Sequence, residues 1–139
     1  MTEITKEIEP SRAESRASFR VLGTNLNLDE VTRALGINPT RVHSPGDVDI
    51  LGKPFPHFMW LLESPLRTNQ DLAAHLDWLG ATLSPRLSYL RVLKSSADLS
   101  IVCNFRTYDT DQGGFTLRPA NLSLPLELEV RIEFHLLFI

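Results

Sequence analysis

The sequence predicts a single α+β domain, a two-layer sandwich whose mostly antiparallel sheet carries its helices on one face, as in ferredoxin-like and related folds. Alternating or continuous apolar runs predict strands at 17–24, 58–62, 99–105 and 126–136. Leucine spacings of three and four residues predict helices at 28–35, 72–83 and 85–93. Because the last strand has only one apolar side, we expect helices on a single face of the sheet.

Size and composition agree with one compact domain. The chain has 139 residues, of which 42% are apolar and 22% are charged, which is ordinary for a globular protein with its own core. Residues 1–15 mix charges of both signs without a sustained apolar face, and we expect a flexible N-terminal tail there. The domain itself is expected to span residues 16–139.

Capping and turn residues divide the chain further. Asn27 with Glu30 resembles a capping box, and Gly36 is expected to end that first helix. Asn69 is expected to cap the second helix, and Pro85 to start a third after a kink. The stretch 38–56 reads as a long loop with one short strand near 48–51, and 109–114 as a hairpin-like loop. The continuous apolar run at 58–62 predicts a central strand covered on both faces.

Charge and cysteine usage limit the partners and the compartment. A formal net charge of -3 gives no basic field for a nucleic-acid backbone. No apolar run approaches the roughly 18 residues that a membrane-spanning helix needs, and the first fifteen residues are polar. Cys103 cannot form an internal disulfide and lies in phase with apolar neighbours, so we interpret it as a small buried hydrophobe. A cytoplasmic protein that binds neither nucleic acid nor membrane is expected.

Residue types used in catalysis or metal binding occur without the necessary spacing. Asp109 and Asp111 resemble the start of a calcium loop, but Ala120 stands where a bidentate glutamate is required. Ser44 lies near a histidine and an aspartate but lacks the strained turn of a serine nucleophile. The histidines are scattered without ligand spacing: His43, His57, His75 and His135. We expect no cofactor and no metal, and an enzymatic function is the least favoured hypothesis.

One loop is a candidate ligand site. The segment 39–53 concentrates charged side chains just before an apolar strand, and long loops of this kind are either functional or simply solvated. A solvated loop without a ligand is the more common case, and it is the interpretation we favour. The alternative is a small anionic or polar ligand held by two arginines, with a tryptophan as an apolar wall. The candidate ligand-binding residues are Arg41, His43, Asp47, Asp49, Trp60 and Arg106.

The predicted last strand offers a second candidate surface. Its outward positions form an acidic stripe suited to a basic protein partner: Glu127, Glu129, Glu133 and His135. The chain then continues with apolar residues on both faces at 136–139. An uncovered edge strand of this kind predicts a homodimer.

Short motifs in the chain resemble an uncharacterised bacterial family. Leu-Gly-Ile-Asn-Pro-Thr at 35–40, Gly-Asp at 46–47, Trp60 and Glu-Ser at 63–64 are similar to the signature of the domain-of-unknown-function family DUF4279. The resemblance extends from about residue 19 to the end, except that prolines at 119 and 125 shorten a helix there. It implies the same strand and helix order but no reaction. The leading functional hypothesis is therefore a non-catalytic, immunity-type or accessory protein-binding domain, and the alternative is a small-ligand sensor or small enzyme.

Overall fold

The structure is a computed structural model that describes residues 13–107 and 114–138. Its strands are β1 (Glu14–Gly23), β2 (Arg41–His43), β3 (Phe58–Glu63), β4 (Asp98–Thr107) and β5 (Arg131–Phe138). Its α-helices are α1 (Leu28–Leu35), α2 (Leu72–Leu83), α3 (Leu87–Lys94) and α4 (Ser123–Leu128), with 3₁₀ turns at Ser84–Arg86 and Pro119–Leu122. Among these helices, none has the length and hydropathy needed to cross a membrane.

The described strands form one open, mixed sheet in the order β2-β3-β1-β4-β5. The β2–β3, β3–β1 and β1–β4 pairs are antiparallel, and β4–β5 is parallel. The first four strands with their helices have the β-α-β-β-α-β order of a ferredoxin-like fold, and α4 with β5 extends it by one strand. The predicted fold class is confirmed.

Alternation along β1 decides which face of the sheet is covered. Ala17, Phe19 and Val21 are all fully buried and pack with the leucines of α2 and α3. Their register partners on β4 are apolar as well, so one face of the two longest strands forms the floor of the core. The hydrophobic effect of closing α1, α2, α3 and α4 over this floor provides the main stabilisation.

The other face of the sheet is free of helices in the described part of the chain, and we call it the open face. It carries the alternate positions of each strand, and these are largely polar. Leu61 faces this side, which means that the run at 58–62 is not covered by helices on both faces as expected. Leu61 is nevertheless buried, with only 7% of its surface exposed. Its register neighbours Arg41 and Arg20 flank it, and long arginine stems cover apolar surface.

The ends of α1 are those that the sequence predicts. The side chain of Asn27 accepts a hydrogen bond from the backbone N–H of Glu30 at 3.1 Å. Gly36 ends the helix in the left-handed conformation (φ 68°), and its N–H donates to the carbonyl of Thr32. A side chain at position 36 would be strained, since residues with a Cβ rarely adopt this φ.

Several boundaries differ from the prediction. Strand β1 begins at Glu14, inside the predicted tail, while residues 1–12 lie outside the described residues. The short strand of the loop is at 41–43, and Val48 makes only an isolated bridge to Pro54. Asp71, not Asn69, precedes α2. The hairpin-like loop predicted at 109–114 lies outside the described residues except for Gly114.

The predicted strand at 126–136 is wrong in its first half. Residues 123–128 form α4, whose buried residues Leu124, Pro125 and Leu128 follow helical spacing. Pro125 fits the first turn, where no intrahelical N–H is needed. Glu129 then adopts φ 57° and its N–H donates to the carbonyl of Pro125, which ends the helix before β5. Over so few residues, periods of 2 and 3.6 cannot be separated.

Candidate functional site

In the loop 39–53, the two aspartates shape the backbone. The Asp47 carboxylate accepts a hydrogen bond from the N–H of Ser44 at 2.8 Å. Asp49 accepts two, from the N–H groups of Leu51 and Lys53 at 2.8 and 2.9 Å. These are Asx-type turn contacts. Both carboxylates are therefore engaged in holding the loop.

The imidazole of His43 packs against an aromatic ring. It stacks on Phe55 with ring centroids 3.8 Å apart and planes 13° from parallel. His43, Asp47 and Asp49 do not line the cavity that three arginines line, and a ligand site formed by these three side chains stays a prediction. These side chains build the loop and its attachment to β2.

Trp60 is not the wall of a ligand pocket, which corrects the sequence interpretation. It is fully buried on the helix side of β3, where its indole N–H donates to the hydroxyl of Thr32 at 3.0 Å. Its ring meets Phe19 edge-on, with centroids 6.4 Å apart. Arg41 pairs with Leu61, the next residue along β3, so its side chain belongs to the opposite face.

The structure does bring Arg41 and Arg106 together, on the open face. Both line a cavity of about 450 Å³ that Arg16 of the central strand β1 also lines. We call this space the arginine cavity. Its other polar lining residues are Glu14, Glu63, Asn104 and His135. Sequence reasoning missed Arg16, although it alternates with the buried residues of β1.

The charges of the arginine cavity are not balanced. Its lining contains three arginines but only two carboxylates, those of Glu14 and Glu63. The Glu14 carboxylate lies 3.6 Å from the guanidinium of Arg106. Within the described residues, no carboxylate lies within ion-pair distance of Arg16 or Arg41. Guanidinium groups gathered on one face of a sheet form a surface that attracts carboxylate or phosphate oxygens.

A second group of charges at the other end of the open face is internally paired. Arg131 donates to both oxygens of Asp98 at 2.7 and 2.8 Å, and to Glu133 at 3.1 Å. Arg20 donates to Glu133 at 2.6 Å. The hydrogen bond from Arg131 lowers the pKa of Asp98. At Glu133, partial burial works to raise the pKa, but Arg131, Arg20 and His135 together lower it.

The variant Arg131→Met should lower the free energy of unfolding by less than about 1 kcal/mol, because exposed ion pairs contribute little to stability. The side chain of Arg131 is half exposed, and solvent screens its charge. Urea unfolding of the variant at low and high salt is the measurement. A larger loss would mean that the pair with Asp98 anchors β5, which a charge swap at both positions would restore.

The predicted acidic stripe is broken by the fold. Glu127 lies on α4 and Glu129 caps it, while Glu133 and His135 lie on the open face of β5. Glu133 is moreover paired with arginines, so it presents no free acidic surface. A basic partner docking on these four residues together is inconsistent with this arrangement.

His75 is a buried histidine that the sequence did not single out. Its Nε2–H donates to the carbonyl of Arg67 at 3.1 Å, since a carbonyl can only accept. Its Nδ1 then accepts from the hydroxyl of Ser64 at 2.9 Å. Burial lowers the pKa of this imidazole. His75 is therefore a neutral group that ties α2 to the segment after β3.

A cysteine thiol and a metal-binding cluster are two further chemical candidates. Burial raises the pKa of the Cys103 thiol to about 12, in agreement with a buried hydrophobe rather than a nucleophile. Within residues 13–107 and 114–138, no three His, Cys, Asp or Glu side chains are grouped to hold a metal ion. Asp109 and Asp111 lie outside the described residues.

Comparison with known proteins identifies the family. The model of DUF4279, a domain of unknown function, matches residues 13–138. The chain belongs to this family. No curated protein and no solved structure matches it. The DUF4279 match covers every described strand and helix, from β1 to β5, and the resemblance seen in the short motifs is confirmed.

Within this DUF4279 domain, the family motifs have structural roles. Gly36 is the left-handed cap of α1, and the hydroxyl of Thr40 accepts from the N–H of Glu63 at 2.8 Å, joining the loop to β3. Trp60 anchors β3 to α1. Ser64 holds His75. These motif residues build the frame, and the arginine cavity lies on the sheet that they support.

Proposed function

We propose that this domain is a non-catalytic binding protein, of an accessory or immunity type, that docks an acidic segment of another protein on its open face. The observation that carries this proposal is the arginine cavity, which Arg16, Arg41 and Arg106 line from three strands of the sheet. Opposite charge steers association and fixes the register of a partner. The partner proposed here is acidic, whereas the sequence interpretation favours a basic partner.

A protein segment suits this surface better than a small molecule does. The side chains of Arg16, Arg41 and Arg106 are all exposed, so anything they hold stays in contact with water. Small-ligand sites instead bury most of their ligand. Apolar surface at Leu137 borders the same cavity, which gives a docked segment both charge and apolar contact.

A small anionic ligand is the second candidate, because a cavity of about 450 Å³ falls in the usual size range of ligand pockets. The setting we propose for either role is the bacterial cytoplasm. The buried, unpaired thiol of Cys103 supports a reducing compartment.

The test is a titration of isotope-labelled protein with a Glu-rich peptide, followed by NMR. We expect the largest shift changes at the amides of 16, 41, 104–106 and 135, and weaker binding at high salt. The double reversal Arg16→Glu with Arg41→Glu should weaken binding by at least about tenfold. The matched control, Arg33→Glu with Arg91→Glu, makes the same charge change on the helical layer and should bind normally.

Other outcomes decide between the candidates. Shifts at the same amides with phosphate or citrate, and none with the peptide, would replace the docking proposal by the small-ligand one. Equal loss of peptide binding in both double variants would mean that net charge alone acts, and the open face would not be a specific site. No shift with any of these probes would remove both candidates.

A further inference from the structure

The outer edge of β5 differs in kind from the other edge of the sheet. At the far edge, β2 has only three residues, and Arg41 among them is charged and exposed. Short, charged strands are how proteins protect a sheet edge from pairing with another chain. Strand β5 has eight residues, and within the described part of the chain no strand lies along its outer side.

Apart from His135 on the open face, the second half of β5 carries apolar residues on both faces of the sheet. The exposed fractions are 40% for Phe134, 50% for Leu136, 47% for Leu137 and 62% for Phe138. Charged residues are confined to the start of the strand, where Arg131 and Glu133 are already paired. No proline or lysine interrupts the strand, so this half has none of the usual protection against edge pairing.

We propose that β5 pairs in antiparallel fashion with β5 of a second copy of this chain, with the two-fold axis passing through Leu136. Two copies would then share one continuous sheet, with their helices on the same side and both open faces on the other. A two-fold arrangement needs a self-complementary patch, and the sequence of β5 provides one.

The register follows from which residues would lie opposite one another. With the axis at Leu136, Phe134 lies opposite Phe138 on the helix side, and His135 opposite Leu137 on the open face. Aromatic pairs directly opposite across strands are stabilising. Moving the axis one residue earlier would place Glu133 opposite Leu137, a charged residue against an apolar one. The axis at Leu136 keeps the charge of Glu133 away from Leu137, and it is therefore the register that we propose.

The nearest aromatic packing agrees with this register. Phe115 stacks on Phe134 with centroids 5.5 Å apart and planes 15° from parallel. Phe115 also meets Phe105 edge-on at 5.2 Å. The ring of Phe134 is thus held in place beside the edge, where a second Phe138 can pack against it at little cost in side-chain entropy.

Sedimentation equilibrium of the full chain over a wide range of concentration tests whether the pair forms. A single strand pair is a small interface, so we expect a dissociation constant on the order of micromolar. Leu136→Glu with Leu137→Glu should weaken dimerisation by at least about a hundredfold, because it places like charges at the axis. The control, Val92→Glu with Leu126→Glu, alters two residues that are each 69% exposed on helices and should leave dimerisation unchanged.

Cysteine cross-linking tests the register. Directly opposite residues have Cα atoms about 4.5–5.5 Å apart, which a disulfide spans. Leu136→Cys should therefore form a disulfide-linked dimer on mild oxidation. His135→Cys and Leu137→Cys should cross-link only when the two variants are mixed, because each lies too far from its own copy. Cys103 will not compete, since burial raises its pKa to about 12.

A monomer at every concentration overturns the proposal, as does a dimer that the paired glutamates leave intact. Leu136→Cys that cross-links no faster than Val92→Cys overturns the proposed pairing with its axis at Leu136. Since none of these readouts involves the Glu-rich peptide, the result is independent of the proposed function.

Discussion

Trp60→Ala should lower the free energy of unfolding by about 3–5 kcal/mol. Trp60 is fully buried, and its removal leaves a large space between β3 and α1 together with an unpaired hydroxyl on Thr32. Since the free energy of unfolding of a small domain is only about 5–15 kcal/mol, this one substitution removes much of the stability. Urea unfolding followed by circular dichroism measures it.

Trp78→Ala is the matched control, because Trp78 is only partly buried at the border of the core. We expect a smaller loss of about 1–2 kcal/mol. Thr32→Val isolates the hydrogen bond, since it keeps the shape and leaves the indole N–H buried without an acceptor, at a cost of about 1–2 kcal/mol. If Trp60→Ala instead left stability unchanged and weakened peptide binding, Trp60 would belong to a binding site after all.

Stability should fall as the pH drops below about 6.5, and His75 should be the reason. Burial lowers the pKa of His75 below its ordinary value of 6.5, so between these two values the unfolded chain binds a proton that the folded chain does not. The stability contributed by the neutral imidazole is therefore fully present above 6.5. It is lost as the pH falls from there through the lower, folded pKa.

The variant His75→Gln separates this effect from the rest of the titration. Glutamine does not titrate, so the slope of unfolding free energy between about pH 7 and pH 5 should flatten. The variant itself should be less stable at neutral pH by about 1–3 kcal/mol, because the contacts to Ser64 and Arg67 are altered. Urea unfolding at a series of pH values measures both.

His57→Gln serves as the control, because His57 is exposed in the loop before β3 and its loss should keep the wild-type slope. The paired carboxylates do not interfere. Asp98 and Glu133 have lowered pKa values, so the stability they contribute is lost only below their unfolded values near 4. An unchanged slope in His75→Gln would show that other groups cause the acid sensitivity.

The elements that could be predicted from the sequence are those with strong local signals. Helix α1 has a capping asparagine, a helical apolar spacing and a terminal glycine, and all three act as predicted. The alternation in β1 is similarly local. By contrast, residues 126–130 alternate like a strand but are too few to exclude a helix, and burial of Leu124 and Leu128 decided the outcome.

The candidate site was harder to predict because it depends on pairing between distant strands. Arg16 lies opposite Asn104, which in turn lies opposite His135, and no local pattern gives those registers. The sequence predicts Arg41 and Arg106 as candidate binding residues, but it does not predict that they share the open face of the sheet. Trp60 stood in an unbroken apolar run, where periodicity cannot tell which face a residue takes.

The position of β1 in the middle of the sheet has a consequence for how the protein is made. A ribosome delivers β1 before either of its neighbours, and pairing Glu14 with Arg106 must wait until most of the chain has been synthesised. Closing so long a segment is slow. Until then β1, including Phe19 and Val21, can pair only with β3, and its other edge, which β4 will occupy, is a target for chaperones or for aggregation. Slowing translation after β4 should therefore help this chain fold more than slowing it after β1.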